Sequence, residues 1–223
     1  MKVLMAEDVK RFNNWTVLIY SEPGKGKTSI VKGLEGNTVL FSVDGMYHVL
    51  SGVPNVEIIE MDPKKPNDEL GDFYRYLIKN IKRIDNIVID NLSTFQKFWL
   101  NAAGKEAKNK TPEQRDYQII DRVLLDFVAS LKALNKNVLL FAHERKVEIT
   151  RESGGVYTQF QPDFRNLDAI MGIVPIVGRL VIYKEERTII LQPTQMTRAK
   201  DQLIGNLKTI GQMELLPKLQ NNI

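Results

Sequence analysis

Apolar residues fall along this chain in short continuous runs, and the runs alternate with stretches where apolar positions recur every three or four residues. Thr16-Val17-Leu18-Ile19-Tyr20 ends in a Pro/Gly loop and predicts a buried strand. Residues 28–34 predict a helix, with Gly33 and Gly36 near its end. Thr38-Val39-Leu40-Phe41-Ser42-Val43 predicts a second strand, ending at Asp44-Gly45. Residues 56–61 alternate and stop before Asp62-Pro63, which predicts a third strand nearer a sheet edge. Residues 68–84 carry Leu70, Phe73, Leu77, Ile78 and Ile81 at helical spacing. Ile87-Val88-Ile89 is again fully apolar and ends at Asp90. Helices are predicted over 94–105 and 117–134, with a polar loop between them, and a last apolar strand over 137–142 ends at His143.

Apolar strands separated by amphipathic helices predict an α/β fold, a mainly parallel sheet flanked by helices on both faces. After His143 the pattern changes. Residues 144–167 are polar, with Gly154-Gly155 and Pro162. Residues 176–183 and 188–192 predict a C-terminal antiparallel β-hairpin around Lys184-Glu185-Glu186-Arg187. Residues 202–223 read as a polar, helix-like tail. There is no internal repeat and no linker, so residues 1–223 read as one domain with its core at about 14–201.

Composition narrows the chemistry. The chain has no Cys, which excludes disulfides, thiolate zinc sites and cysteine nucleophiles. Its two histidines, His48 and His143, exclude a histidine-rich metal site. A net charge of +4 permits a phosphate-bearing partner without demanding one. No apolar run approaches the roughly 18 residues of a membrane span. Residues 1–12 carry charges and no signal-peptide core. The expectation is a cytoplasmic protein with no membrane partner.

Between the first strand and the first helix lies Ser21-Glu22-Pro23-Gly24-Lys25-Gly26-Lys27-Thr28. A P-loop needs backbone N–H groups turned toward phosphate oxygens at a helix N-terminus. Glu22, Pro23, Gly24, Lys25, Gly26, Lys27, Thr28 and Ser29 are therefore the candidate nucleotide-binding residues, with ATP and Mg²⁺ as the expected cofactors. Lys27 would reach the β- and γ-phosphates, and the Thr28 hydroxyl would ligate Mg²⁺. Ser21 stands where the pattern has its first Gly, and its Cβ makes the strand exit less permissive. Asp90, at the end of an apolar strand, reads as the second metal-site residue or as a helix N-cap. Asp44 reads as the base that activates water or as a turn residue; Glu60 and Asp62 are weaker rivals. His143 reads as a γ-phosphate sensor or a structural histidine, and Glu144 beside it as another water-activating carboxylate.

Taken together, residues 20–29, 39–45, 87–93, 139–146 and 189–201 resemble the RecA-like P-loop ATPases. More narrowly they resemble the short phage-encoded nucleotide-binding proteins of that superfamily, whose relatives take part in single-strand DNA annealing and recombination. Ala142-His143-Glu144 and the late Ala199-Lys200-Asp201 suggest the branch. The resemblance implies ATP hydrolysis in the host cytoplasm and a homo-oligomer, ring or filament, with nucleotide at a subunit interface. A neighbour's cation would reach the phosphates; Lys200 is the candidate and Arg198 the next. It also implies single-stranded DNA bound after the sensor strand, where Arg145, Lys146, Arg151 and Arg165 are interleaved with Tyr157, Phe160 and Phe164. A single-strand-binding protein is a further candidate partner. Two other functions stay open: an AAA+-type helicase-loader ATPase, which needs a helical lid where this sequence turns to β-hairpin, and a nucleotide-switched binding module with little turnover.

Overall fold

The computed structural model describes Met5, residues 14–205 and residues 207–221. Of the charged stretch 1–12 only Met5 falls within the described residues, and Asn206, Asn222 and Ile223 of the tail fall outside them.

The apolar runs form the centre of one sheet. They are β1 (Thr16–Ser21), β2 (Thr38–Ser42), β4 (Asn86–Asp90) and the first part of β5 (Asn137–Thr150), all parallel. β3 (Val56–Glu60) is the edge beside β2, as its alternation predicted. On the other flank β7 (Ile176–Tyr183) lies parallel to β1 and turns back into β8 (Glu186–Ile190). β10 (Thr209–Gly211) pairs with β8 and closes that flank. The order is β10-β8-β7-β1-β5-β4-β2-β3, with β6 (Val156–Pro162) on β5 and β9 (Lys200–Asp201) on β7. This is the mainly parallel sheet flanked by helices that the alternating runs predicted, with its C-terminal antiparallel hairpin.

The period of two along the central strands sends alternate side chains to opposite faces. Leu18, Tyr20, Val39, Phe41, Ile87, Ile89 and Leu140 pack with α1 (Pro66–Asn80), α2 (Leu92–Glu106), α3 (Gln114–Ala133) and α4 (Leu167–Ile173). Val17, Ile19, Leu40, Val88, Leu139 and Phe141 pack on the other face with Ile30, Val31, Leu50 and the apolar stripe of α5 (Leu215–Gln220). Gly178 sits where β7 crosses that second layer. A Cβ there would stand 2.4 Å from Ile189 Cγ2 and 2.9 Å from Ile19 Cδ1, so only glycine fits.

Four local departures from the expected elements have physical causes. Thr28–Gly33 is a 3-10 helix, not an α-helix. Its first bonds close three residues back, Ser29 N–H to Gly26 O and Ile30 N–H to Lys27 O, and extended Leu34 ends it. The last core strand does not stop at 142 as predicted: β5 runs on through the polar stretch to Thr150 and pairs antiparallel with β6. The side chains of that ribbon are mostly polar and only partly buried, so no apolar run marked it. The hairpin turn is also tighter than expected, because Lys184 and Glu185 alone take it, with φ of 49° and 68°. Arg187 is thereby a strand residue. The tail, read as helical, is part strand, and its helix is confined to α5.

Candidate nucleotide site

Parallel strands deliver their carboxyl ends to one edge. The register sets Ser21 beside His143 and Ser42 beside Asp90, with Asp44 just beyond Ser42. The loop from β1 arches over this edge. Gly24 and Gly26 take φ of 78° and 94°, conformations that turn the chain without a Cβ penalty. The cavity so formed, about 710 Å³, is lined by Pro23, Gly24, Gly26, Lys27, Thr28, Ser29, Asp44, Met46, Val49, Asp90, Asn91, Thr94, His143 and Arg187.

Lys27 is buried, and its amine donates to Ser21 O (3.2 Å), Ser21 Oγ (3.1 Å) and Glu22 O (3.4 Å). Burial lowers its pKa, while the carboxylates of Asp90, Asp44 and Glu144 hold the charge on. Ser21 thus supplies a side-chain acceptor that glycine lacks, and its own φ is not positive. The serine that departs from the P-loop pattern costs the backbone nothing and parks the lysine.

Asp90 is 4% exposed and accepts a hydrogen bond from the Thr28 hydroxyl at 2.6 Å. Burial raises its pKa to about 6; the Asp44 charge adds to that rise, and the Thr28 bond and Lys27 oppose it. A desolvated carboxylate beside a threonine hydroxyl is a hard-oxygen pair that fits Mg²⁺. The N-cap role belongs instead to the next residue, since Asn91 Oδ1 accepts from Thr94 N–H at 2.9 Å and leaves Asp90 to Thr28.

Asn91 also donates through Nδ2 to Asp44 Oδ2 at 2.9 Å, and the same nitrogen lies 3.4 Å from His143 Nε2. Asp44 Oδ1 meanwhile accepts from Met46 N–H at 3.1 Å. One oxygen of Asp44 thus makes the turn, and the other meets Asn91 at the cavity, which Asp44 lines. His143 is anchored by its backbone, whose N–H donates to Ser93 Oγ at 2.9 Å. Burial and the cations Lys27 and Lys97 depress its pKa. Its Nδ1 is buried with no partner among the described residues.

Other expected residues lie elsewhere. Glu144 points to the opposite side of β5 from His143 and forms a bidentate ion pair with Arg179 of β7, at 2.7 and 3.2 Å. Its side chain is 2% exposed and does not line the cavity, so the water-activating role is replaced by a structural one. Lys200 does not line this chain's own cavity; its amine donates to Met171 O (2.9 Å) and Gly172 O (3.3 Å) behind α4. Arg198 pairs with Asp168. Glu60 bonds Tyr47, and Asp62 caps its own turn, both outside the cavity.

On the β5–β6 ribbon, Arg145, Lys146 and Arg151 are exposed, and Arg151 lies over the half-buried Tyr157 ring at 5.2 Å. Phe164 is 1% exposed in the core, which corrects its expected stacking role. Phe160 lies half-buried under the Arg179 guanidinium, 3.5 Å away, and Arg165 is held by Asp121 of α3.

Sequence reasoning missed Asn91, Thr94 and Arg187. Asn91 carried a usable signal, an Asn before a helix; Arg187 carried none, since its position depends on the two-residue turn.

The chain belongs to the AAA domain family, which it matches over residues 13–203. The loop at 21–28 and Asp90 both lie within that match. No curated protein matches the chain. Among solved structures it is similar to a KaiC-like protein from the hyperthermophilic archaeon Pyrococcus horikoshii OT3, at 15% identity over 88% of each chain with a TM-score of 0.46. Among the described residues no helix is long and apolar enough to cross a membrane.

Proposed function

We propose that this protein binds and hydrolyses Mg²⁺–ATP at the loop 21–28 and couples turnover to single-stranded DNA held on the β5–β6 ribbon. The observation that carries the first part is the convergence of Lys27, Thr28, Asp90, Asp44 and His143 on one cavity. Thr28 and Asp90 would hold Mg²⁺, which supplies charge neutralisation on the phosphates. Asp44, oriented by Asn91, accepts the proton of the attacking water. His143 offers a donor to the phosphate that leaves.

Two features support the second part. β5 runs without interruption from His143 at the cavity into the ribbon. Lys146 on the ribbon also reaches back to Glu22 of the phosphate loop at 3.0 Å. Cations beside the half-buried Tyr157 ring suit a polynucleotide, with phosphates on the cations and a base on Tyr157. A surface pair such as Glu22–Lys146 adds little stability, which leaves Lys146 available to exchange Glu22 for a DNA phosphate. Lys200, with Arg198, serves a neighbouring subunit's site in the assembled ring or filament.

The test is ATP turnover with and without single-stranded DNA, on wild type and on Arg151→Ala/Tyr157→Ala. DNA should stimulate the wild type, and the double variant should lose the stimulation while retaining ATP binding. DNA-independent turnover in the wild type overturns the DNA reading and points to a loader with another partner. ATP binding without turnover overturns the ATPase reading in favour of a nucleotide switch.

A further inference from the structure

The phosphate loop is gripped from its far side by the C-terminal part of the chain. Gln212, 6% exposed, donates through Nε2 to Gly26 O at 2.6 Å. Its own backbone N–H donates to Arg187 O at 2.9 Å. The Arg187 side chain lies across Gly26: a Cβ on that glycine would meet Arg187 Nε at 3.2 Å and Gln212 Nε2 at 3.2 Å. A Cβ on Gly26 would thus crowd both side chains, in addition to the strain at its φ of 94°. Among the described residues Arg187 has no ion pair, although it lines the cavity. An arginine left without a carboxylate beside a phosphate cradle is matched to an anion, because its planar fork of N–H donors pairs with phosphate oxygens.

The sheet order says which part of the anion. β8, which carries Arg187, lies on one side of β1, and β4, which carries Asp90, lies on the other. A Mg²⁺ held by Thr28 and Asp90 would neutralise the far phosphates of a triphosphate from the β4 side. The guanidinium on the β8 side is then left for the α-phosphate, which ATP and ADP both carry.

We infer that Arg187 is a nucleotide-binding residue supplied by the chain's own β7–β8 hairpin, reading the α-phosphate, and that Gln212 holds the phosphate loop against it by pinning Gly26. This rests on the P-loop reading above. It also assigns the hairpin a task at the chain's own site, distinct from any cation lent by a neighbour.

The experiment is calorimetric titration of ADP and of a non-hydrolysable ATP analogue, with Mg²⁺, into wild type, Arg187→Ala, Arg187→Lys and Gln212→Ala. Arg187→Ala should weaken both nucleotides by the same factor, about tenfold. Arg187→Lys should recover only part, since a point charge replaces the fork. Gln212→Ala should weaken both to a lesser degree. Arg187 is exposed, so the melting temperature without nucleotide should stay at the wild-type value. A loss confined to the ATP analogue overturns the α-phosphate assignment in favour of the γ-phosphate. Unchanged affinities overturn the inference while wild-type binding keeps the P-loop reading intact. Failure of the wild type to bind either nucleotide overturns both.

Discussion

Replacing Glu144 with Ala removes one half of an ion pair whose side chains are 2% and 16% exposed. The Arg179 guanidinium stays behind, pinned 3.5 Å from the Phe160 ring centroid and beside Tyr20, whose burial pushes its hydroxyl pKa well above the ordinary range. Arg179 then keeps its desolvation cost without its partner. Breaking such a pair from one side costs about 3 kcal/mol or more, which lowers the melting temperature of a domain this size by roughly 6–12 °C. The double change Glu144→Leu/Arg179→Met removes both charges and should recover most of that loss, because well-packed apolar residues often equal a buried pair. Urea unfolding of the two single variants, the double variant and wild type gives the coupling energy, and ATP turnover of Glu144→Gln gives the functional half. We expect a large coupling energy and retained turnover. A Glu144→Gln protein as stable as wild type but without turnover refutes the structural assignment and restores Glu144 as the water-activating carboxylate.

Gly178→Ala should destabilise by about 1–3 kcal/mol through overpacking against Ile189 and Ile19; a melting temperature equal to wild type would show that the β1–β7–β8 layer yields. Asp90 should make stability pH-dependent in the direction opposite to an ordinary paired carboxylate. Its folded pKa of about 6 lies above the model-compound value of 3.8, so the proton is bound more tightly in the folded state. The stabilisation from that proton is fully present below pH 3.8 and is lost as pH rises through 6. Nucleotide-free Asp90→Asn should therefore be more stable than wild type at pH 7.5, with the gain shrinking at pH 5; a constant difference at both pH values would contradict this.

The parallel core was readable because it is buried on both faces, so Val17–Tyr20, Ile87–Ile89 and Val138–Ala142 stand out as apolar runs with functional residues at their carboxyl ends. The loop was readable because Gly-Lys-Thr spacing follows directly from phosphate chemistry. The β5–β6 ribbon was not, because main-chain bonds hold it and its side chains are mostly polar. Nor was the orientation of Glu144. A residue next to His143 in sequence points to the opposite face of a strand, and only the position of Arg179 on β7 shows what it meets there. Arg187 was hidden for a related reason: whether it belongs to a turn or a strand depends on Lys184 and Glu185 both adopting positive φ, which neither residue type advertises.

The most direct test of the central claim is titration of Mg²⁺–ATP into nucleotide-free wild type and Lys27→Ala, with circular dichroism to show that both are folded. The account predicts one site per chain in the wild type and a loss of at least about tenfold in affinity when the buried amine is removed. Equal binding by the two proteins, or no binding by the wild type, would contradict it.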